Sequence, residues 1–99
     1  FITVPPRPSG ERRVYHMYML LVKRRDELYK FLLDNGVDAK IHYPIPLHLQ
    51  EASQHLNYKR GDFPVAEAQA ESILSLPAHQ HLTDDEIQYV IATLRKFYL

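Results

Sequence analysis

Within ten residues, Ile41-His42-Tyr43-Pro44-Ile45-Pro46-Leu47-His48-Leu49-Gln50, the sequence gathers two imidazoles, a phenol and a side-chain amide around two prolines. These are hydrogen-bonding groups, and a loop leaving the end of a strand is where binding groups usually collect. The prolines restrict the backbone, which lowers the entropy lost when a ligand is held. The same residues would also make a proline-stiffened surface turn with incidental histidines, and residue types alone leave both readings open. A second imidazole pair, His79-Gln80-His81, follows Pro77. In an extended segment residues two apart point the same way, so both rings could reach one metal. A closed site needs about four ligands, however, and Asp84 and Asp85 read as part of a helical first turn. A solvated connection is the plainer reading of that pair.

Other candidates point away from chemistry. His16 is read as a half-buried, hydrogen-bonded histidine in an apolar strand, with Tyr15 and Tyr18 as packing groups that carry a polar tip. His55 has no partner spacing and is expected to be exposed. Lys23-Arg24-Arg25 stands at a helix start, where the dipole disfavours cations, so a solvated turn is expected there rather than a phosphate patch. The three glycines are scattered and make no phosphate loop. There is no nucleophile elbow, carboxylate pair or cysteine nucleophile. Catalysis by this chain alone has little support.

These side chains must be positioned by a small scaffold. The 99 residues make one domain or a piece of a larger one. With 45% apolar residues the chain can build a modest core, which argues against disorder. Twelve Lys+Arg balance twelve Asp+Glu, which argues against a nucleic-acid partner. The absence of cysteine excludes disulfides and fits a reducing cytoplasm. No apolar run reaches the roughly 18 residues of a membrane span, and no signal peptide is visible. The first residue is Phe1, so the chain reads as an excised segment.

Along the chain, Pro5, Pro6 and Pro8 make Phe1–Gly10 an extended lead-in that cannot supply a sheet ladder. Arg13–Val22 carries apolar groups on both faces and predicts a strand covered on both sides, more cover than so short a chain supplies. Asp26 is read as the cap of a helix buried through Leu28, Phe31 and Leu32, stopped by Asn35-Gly36. Val37–Tyr43 predicts a second strand, and Leu47–Gly61 a helical turn followed by a loop. Pro64 opens a helix over Val65–Ile73, and Ile73–Pro77 predicts a third strand. Thr83 and Glu86 form a capping box for a last helix striped by Ile87, Val90, Ile91 and Leu94, ending near Phe97. The order β-α-β-loop-α-β-α predicts an α/β two-layer sandwich, one small sheet packed by helices.

The run Ala39–Gln50 resembles the C-terminal signature of the DegT-type sugar-nucleotide aminotransferases, pyridoxal-phosphate-dependent enzymes of the aspartate-aminotransferase fold type. Its flanks agree in order: Val14–Tyr18, Asp26-Glu27-Leu28, Asn35-Gly36-Val37, Gly61–Glu67, Leu74–Pro77 and His81–Glu86. The likeness covers essentially the whole chain. It implies that residues 1–99 are the small C-terminal domain, with a mostly antiparallel sheet of about three strands and helices on one side. The large domain that binds pyridoxal 5'-phosphate lies outside this sequence.

The resemblance further implies a cytoplasmic homodimer that moves an amino group, usually from glutamate, to a keto sugar nucleotide in glycan, lipopolysaccharide or antibiotic sugar biosynthesis. His42, Tyr43, Pro44 and His48 would line the substrate cleft. The Schiff-base lysine would belong to the large domain, and Lys40 is not it. The 99 residues alone are therefore expected to be catalytically silent. The rival expectation is a stand-alone binding or dimerisation module, with a weak metal site at His79 and His81. In a third reading the loop only anchors this domain to its larger partner domain.

Overall fold

A computed structural model describes all 99 residues. Three strands, β1 (Ile2–Thr3), β2 (Tyr18–Val22) and β3 (Ile73–Leu76), form one antiparallel sheet in the order β1-β2-β3. The helices are α1 (Arg25–Asp34), α2 (Pro64–Ser72) and α3 (Asp84–Tyr98), with two 3-10 turns at Leu47–Leu49 and Glu51–Leu56. The α+β class, the two layers and the antiparallel sheet agree with expectation. Strand membership does not.

The first strand begins at Tyr18 rather than Arg13, because Tyr15 adopts a left-handed φ of 50° and bends the chain ahead of the ladder. His16 is consequently exposed on that bend instead of packed within a strand. Val37–Tyr43 is no strand either. It touches the sheet at one bridge, where Lys40 and Ser75 exchange backbone bonds of 3.0 and 2.8 Å. The third sheet member is instead Ile2–Thr3, from the segment expected to carry no ladder. Its prolines begin at Pro5, so Ile2 and Thr3 keep their N–H groups and pair with Val22 and Leu21.

Cross-strand pairing puts Leu20 opposite Leu74 and Met19 opposite Ser75. Successive side chains alternate faces, so Leu20, Val22 and Leu74 point into the core with Leu28, Leu32, Val37, Ala39 and Leu94. Leu28, Leu32 and Leu74 are completely buried, each contributing about 1.5–3 kcal/mol. Met19 and Ser75 occupy the opposite face, and Met19 stays 37% exposed there. The two-sided cover expected for β2 is thus only half supplied.

The helix ends follow local chemistry. Arg24 (φ 55°) occupies the α1 N-cap without a side-chain cap. Asp26 sits inside the first turn, where a carboxylate favours the dipole, rather than at the expected cap. At the other end Gly36 takes φ 75°, Gly36 N donates to Leu33 O and Val37 N to Leu32 O. That pair of bonds is a complete Schellman stop, and Val37 packs in the same core as Leu32. Pro64 opens α2 as expected. The α3 box is present in both directions, with Glu86 N donating to Thr83 Oγ1 (3.2 Å) and Thr83 N to Glu86 Oε2 (2.8 Å). On its stripe Leu94 is buried, Val90 and Ile91 half-buried, and Ile87 42% exposed.

Arg25 joins the two halves of the fold. Its buried guanidinium donates to Ala70 O (2.9 Å) and Ile73 O (3.2 Å), where α2 runs directly into β3. The α2–β3 unit is therefore fastened to α1 at its junction.

Candidate functional site

Ser75 lies on the sheet face away from the core, and the single bridge to Lys40 brings the following residues alongside it. His42 turns its Nδ1 to Ser75 Oγ at 3.0 Å and is half-buried. Tyr43 follows across a cis peptide and stands 68% exposed, its ring edge-on to His42 with centroids 5.4 Å apart. With Nδ1 engaged, His42 Nε2 and the Tyr43 hydroxyl have no hydrogen-bond partner within the chain. Pro44 is exposed beside them.

A groove of about 360 Å³ opens at this place, lined among others by His16, Asp38, Lys40, His42, Ser75 and His79. The fold thus brings His16 and His79 to His42 from segments far apart in sequence. Three imidazoles line the groove, yet no three His, Cys, Asp or Glu side chains converge closely enough to hold a metal ion. His79 and His81 have ring centroids 6.2 Å apart, and His79 Nδ1 accepts from His81 N at 3.2 Å. His55 is exposed, as expected, and its Nδ1 meets Ala52 O at 3.1 Å.

His48 is placed differently from His42 and Tyr43. The 3-10 turn Leu47–Leu49 directs its ring inward, where it is buried and meets Glu67 Oε1 through Nε2 at 2.9 Å. Phe63 packs edge-on against the ring at 4.8 Å. Glu67 also accepts from Gly61 N at 2.8 and 3.0 Å and from Phe63 N at 3.4 Å. Burial alone would push this carboxyl up, but the His48 ring and the two backbone N–H groups outweigh it and hold the group below the ordinary carboxylate range. An ionised Glu67 only accepts, so the His48 Nε2 is the donor.

Sequence reasoning missed Ser75 and Glu67. Both lie in the flanking runs of the family likeness, Gly61–Glu67 and Leu74–Pro77, but those runs assign them no task, and each acquires its role from a partner 33 or 19 residues away.

The residues present do not fit a pyridoxal phosphate site. A Schiff-base lysine needs an amine that readily loses its proton. Lys40 has the opposite environment, since its hydrogen bond to Asp38 holds the ammonium above its ordinary range. Lys30 is paired with Asp34, and Lys23, Lys59 and Lys96 are exposed.

An antiparallel sheet covered by helices on its core face carries a groove on the other face. Residues 1–95 match the model of the DegT/DnrJ/EryC1/StrS aminotransferase family, and the chain belongs to that family. It is 38% identical over 97 residues to a pleiotropic regulatory protein of Geobacillus stearothermophilus, covering 98% of this chain and 26% of that protein. It is 37% identical over 96 residues to the dTDP-3-amino-3,4,6-trideoxy-alpha-D-glucose transaminase of Streptomyces venezuelae, covering 97% and 25%. The crystal structure of S. venezuelae DesV in complex with a ketimine intermediate superposes with a TM-score of 0.90 at 34% identity, covering 97% of this chain and 26% of that one. The chain spans about a quarter of the length of the curated relatives it matches.

Proposed function

We propose that this chain is the small, C-terminal substrate-side domain of a pyridoxal-phosphate-dependent aminotransferase that delivers an amino group, usually from glutamate, to the keto group of a nucleotide-linked sugar. Family membership over residues 1–95 and the transaminase named among the relatives support the reaction class. The observation that carries the site is the His42–Ser75 bond, which fixes one ring at the groove with Tyr43 exposed beside it.

In this reading pyridoxal 5'-phosphate, held by the larger portion of the protein, supplies the electron sink for amino transfer. The work of this domain is recognition. His42 Nε2 and the Tyr43 hydroxyl hydrogen-bond sugar or phosphate oxygens, and Pro44 fixes the backbone that carries them. The groove holds the substrate against the cofactor side, within a cytoplasmic homodimer. No helix is long and apolar enough to cross a membrane.

The test is steady-state kinetics of the complete enzyme carrying His42→Ala or Tyr43→Phe. The KM for the sugar nucleotide rises in each, while the half-reaction with the amino donor keeps its rate. Unchanged sugar-nucleotide kinetics in both variants removes this site.

A further inference from the structure

The segment from His42 to His48 is fastened at both ends to one rigid unit. Its first end is held on β3 by the Lys40–Ser75 backbone bonds and the His42–Ser75 contact. Its far end is held on α2 by His48 and Glu67. Helix α2 continues without a break into β3, and Arg25 clamps the junction. Between the two fastenings the chain is exposed: Tyr43 by 68%, Ile45 by 54% and Leu47 by 78%. A strap tied at both ends to the same unit has little freedom to shift its middle, and Tyr43 and Pro44 lie in that middle.

The second fastening depends on one carboxylate. Glu67 gathers His48, Gly61 N and Phe63 N, and so joins the 3-10 turn, the Gly61–Phe63 turn and the start of α2. Gly61 reaches it with a left-handed φ of 95°, a conformation that suits glycine. Phe63 caps α2 without a side-chain hydrogen bond, and Glu67 satisfies the Phe63 N–H from within the helix. No other protein group is hydrogen-bonded to the His48 ring. Weakening Glu67 as an acceptor therefore loosens the turn that ends the strap without touching His42 or Tyr43.

We infer that Glu67 is a positioning residue for substrate recognition: acting through His48, it fixes the strap that presents Tyr43 and Pro44 to the sugar nucleotide. The inference rests on the functional reading above. His48 then serves as the strap's anchor rather than as a ligand contact.

The experiment uses the complete enzyme with Glu67→Gln, His48→Met and His48→Gln. Glutamine places an amide N–H near the position of the imidazole Nε2, so His48→Gln keeps a donor toward Glu67, whereas His48→Met fills the space without one. His48→Met raises the KM for the sugar nucleotide roughly tenfold, the scale of one hydrogen bond to a charged group, and Glu67→Gln, which keeps one acceptor oxygen but turns an amide N–H toward Gly61 N, raises it by a smaller factor. The half-reaction with glutamate, read from the cofactor's absorbance, keeps its rate, and His48→Gln recovers most of the loss.

Amide exchange followed by mass spectrometry supplies a readout independent of activity. Exchange at Leu49 and Gln50 accelerates in Glu67→Gln, while the amides of α3 are unchanged. Unchanged sugar-nucleotide KM, equal losses in both half-reactions, or exchange that is unaltered or accelerated everywhere overturns the inference. A wild-type enzyme with no glutamate half-reaction overturns the functional reading instead, and the exchange at Leu49 and Gln50 still decides whether Glu67 holds the strap.

Discussion

Two histidines six positions apart in one short loop receive different tasks from their partners. His42 is turned to a neutral hydroxyl that orients the ring and leaves its Nε2 without a partner in the chain, whereas His48 is turned to a buried carboxylate that consumes its donor. The substitutions at His42 and Tyr43 should therefore differ in kind. Tyr43→Phe removes one uncharged hydrogen bond and keeps the ring, so about 0.5–1.5 kcal/mol of substrate binding is lost, a KM increase of roughly two- to tenfold. His42→Ala loses its ligand contact and also leaves Ser75 Oγ, on a buried residue, without its partner. The larger KM increase belongs to His42→Ala, and the ratio measured in the complete enzyme checks the assignment. A larger effect from Tyr43→Phe would reverse it.

At the scale of elements, the ends of helices, the start of α1 excepted, were the most legible features and the strands the least. Thr83, Glu86, Gly36 and Pro64 act through groups within five residues of themselves, so type and spacing suffice to read them. The α3 box gives a measurable consequence. Thr83→Ala removes the acceptor for Glu86 N and costs about 1 kcal/mol, seen as a fall of about 4–8 °C in the Tm of this chain. An unchanged Tm would show that the box contributes nothing here. A strand, by contrast, is completed by a partner. Val37–Tyr43 has strand-like residues but finds only the single Lys40 bridge to Ser75, and the prolines that follow at Pro44 and Pro46 cannot donate to extend the ladder. Ile2–Thr3 looked unpromising beside three prolines, yet the exposed edge of β2 accepts it.

For the whole molecule, acid stability and cofactor binding can both be anticipated. Glu67 and Glu86 are held below the ordinary carboxylate range, Glu67 because the His48 ring and backbone N–H groups outweigh its burial, Glu86 by the backbone and side chain of Thr83. A depressed folded-state pKa contributes stability that is present above the unfolded value, about 4.3, and is lost as the pH falls through the folded value. Urea unfolding should thus show wild type more stable than Glu67→Gln at pH 7, with the gap narrowing by pH 3; a gap independent of pH would contradict the ionised Glu67. The lysines lead to a second expectation. Since Lys40 is held above its ordinary range by Asp38 and the other lysines are exposed rather than enclosed in a pocket, pyridoxal phosphate and borohydride should give this chain no stoichiometric adduct at a single lysine. One dominant labelled site, Lys40 included, would refute this.

The sequence alone determined the helices, their stops, the α+β class, the family and the loop on which the candidate binding groups gather. Each of these is written in local spacing or in the collinear run of motifs. The tertiary structure decided which segment became the third strand, that His16 and His79 share a groove with His42, and that His48 anchors the strap through Glu67. Those outcomes depend on residues distant along the chain becoming neighbours, and a buried ring's task is set by the group it meets. Spacing encodes contacts along a helix or turn; partners across the fold exist only once the sheet has paired and the core has closed.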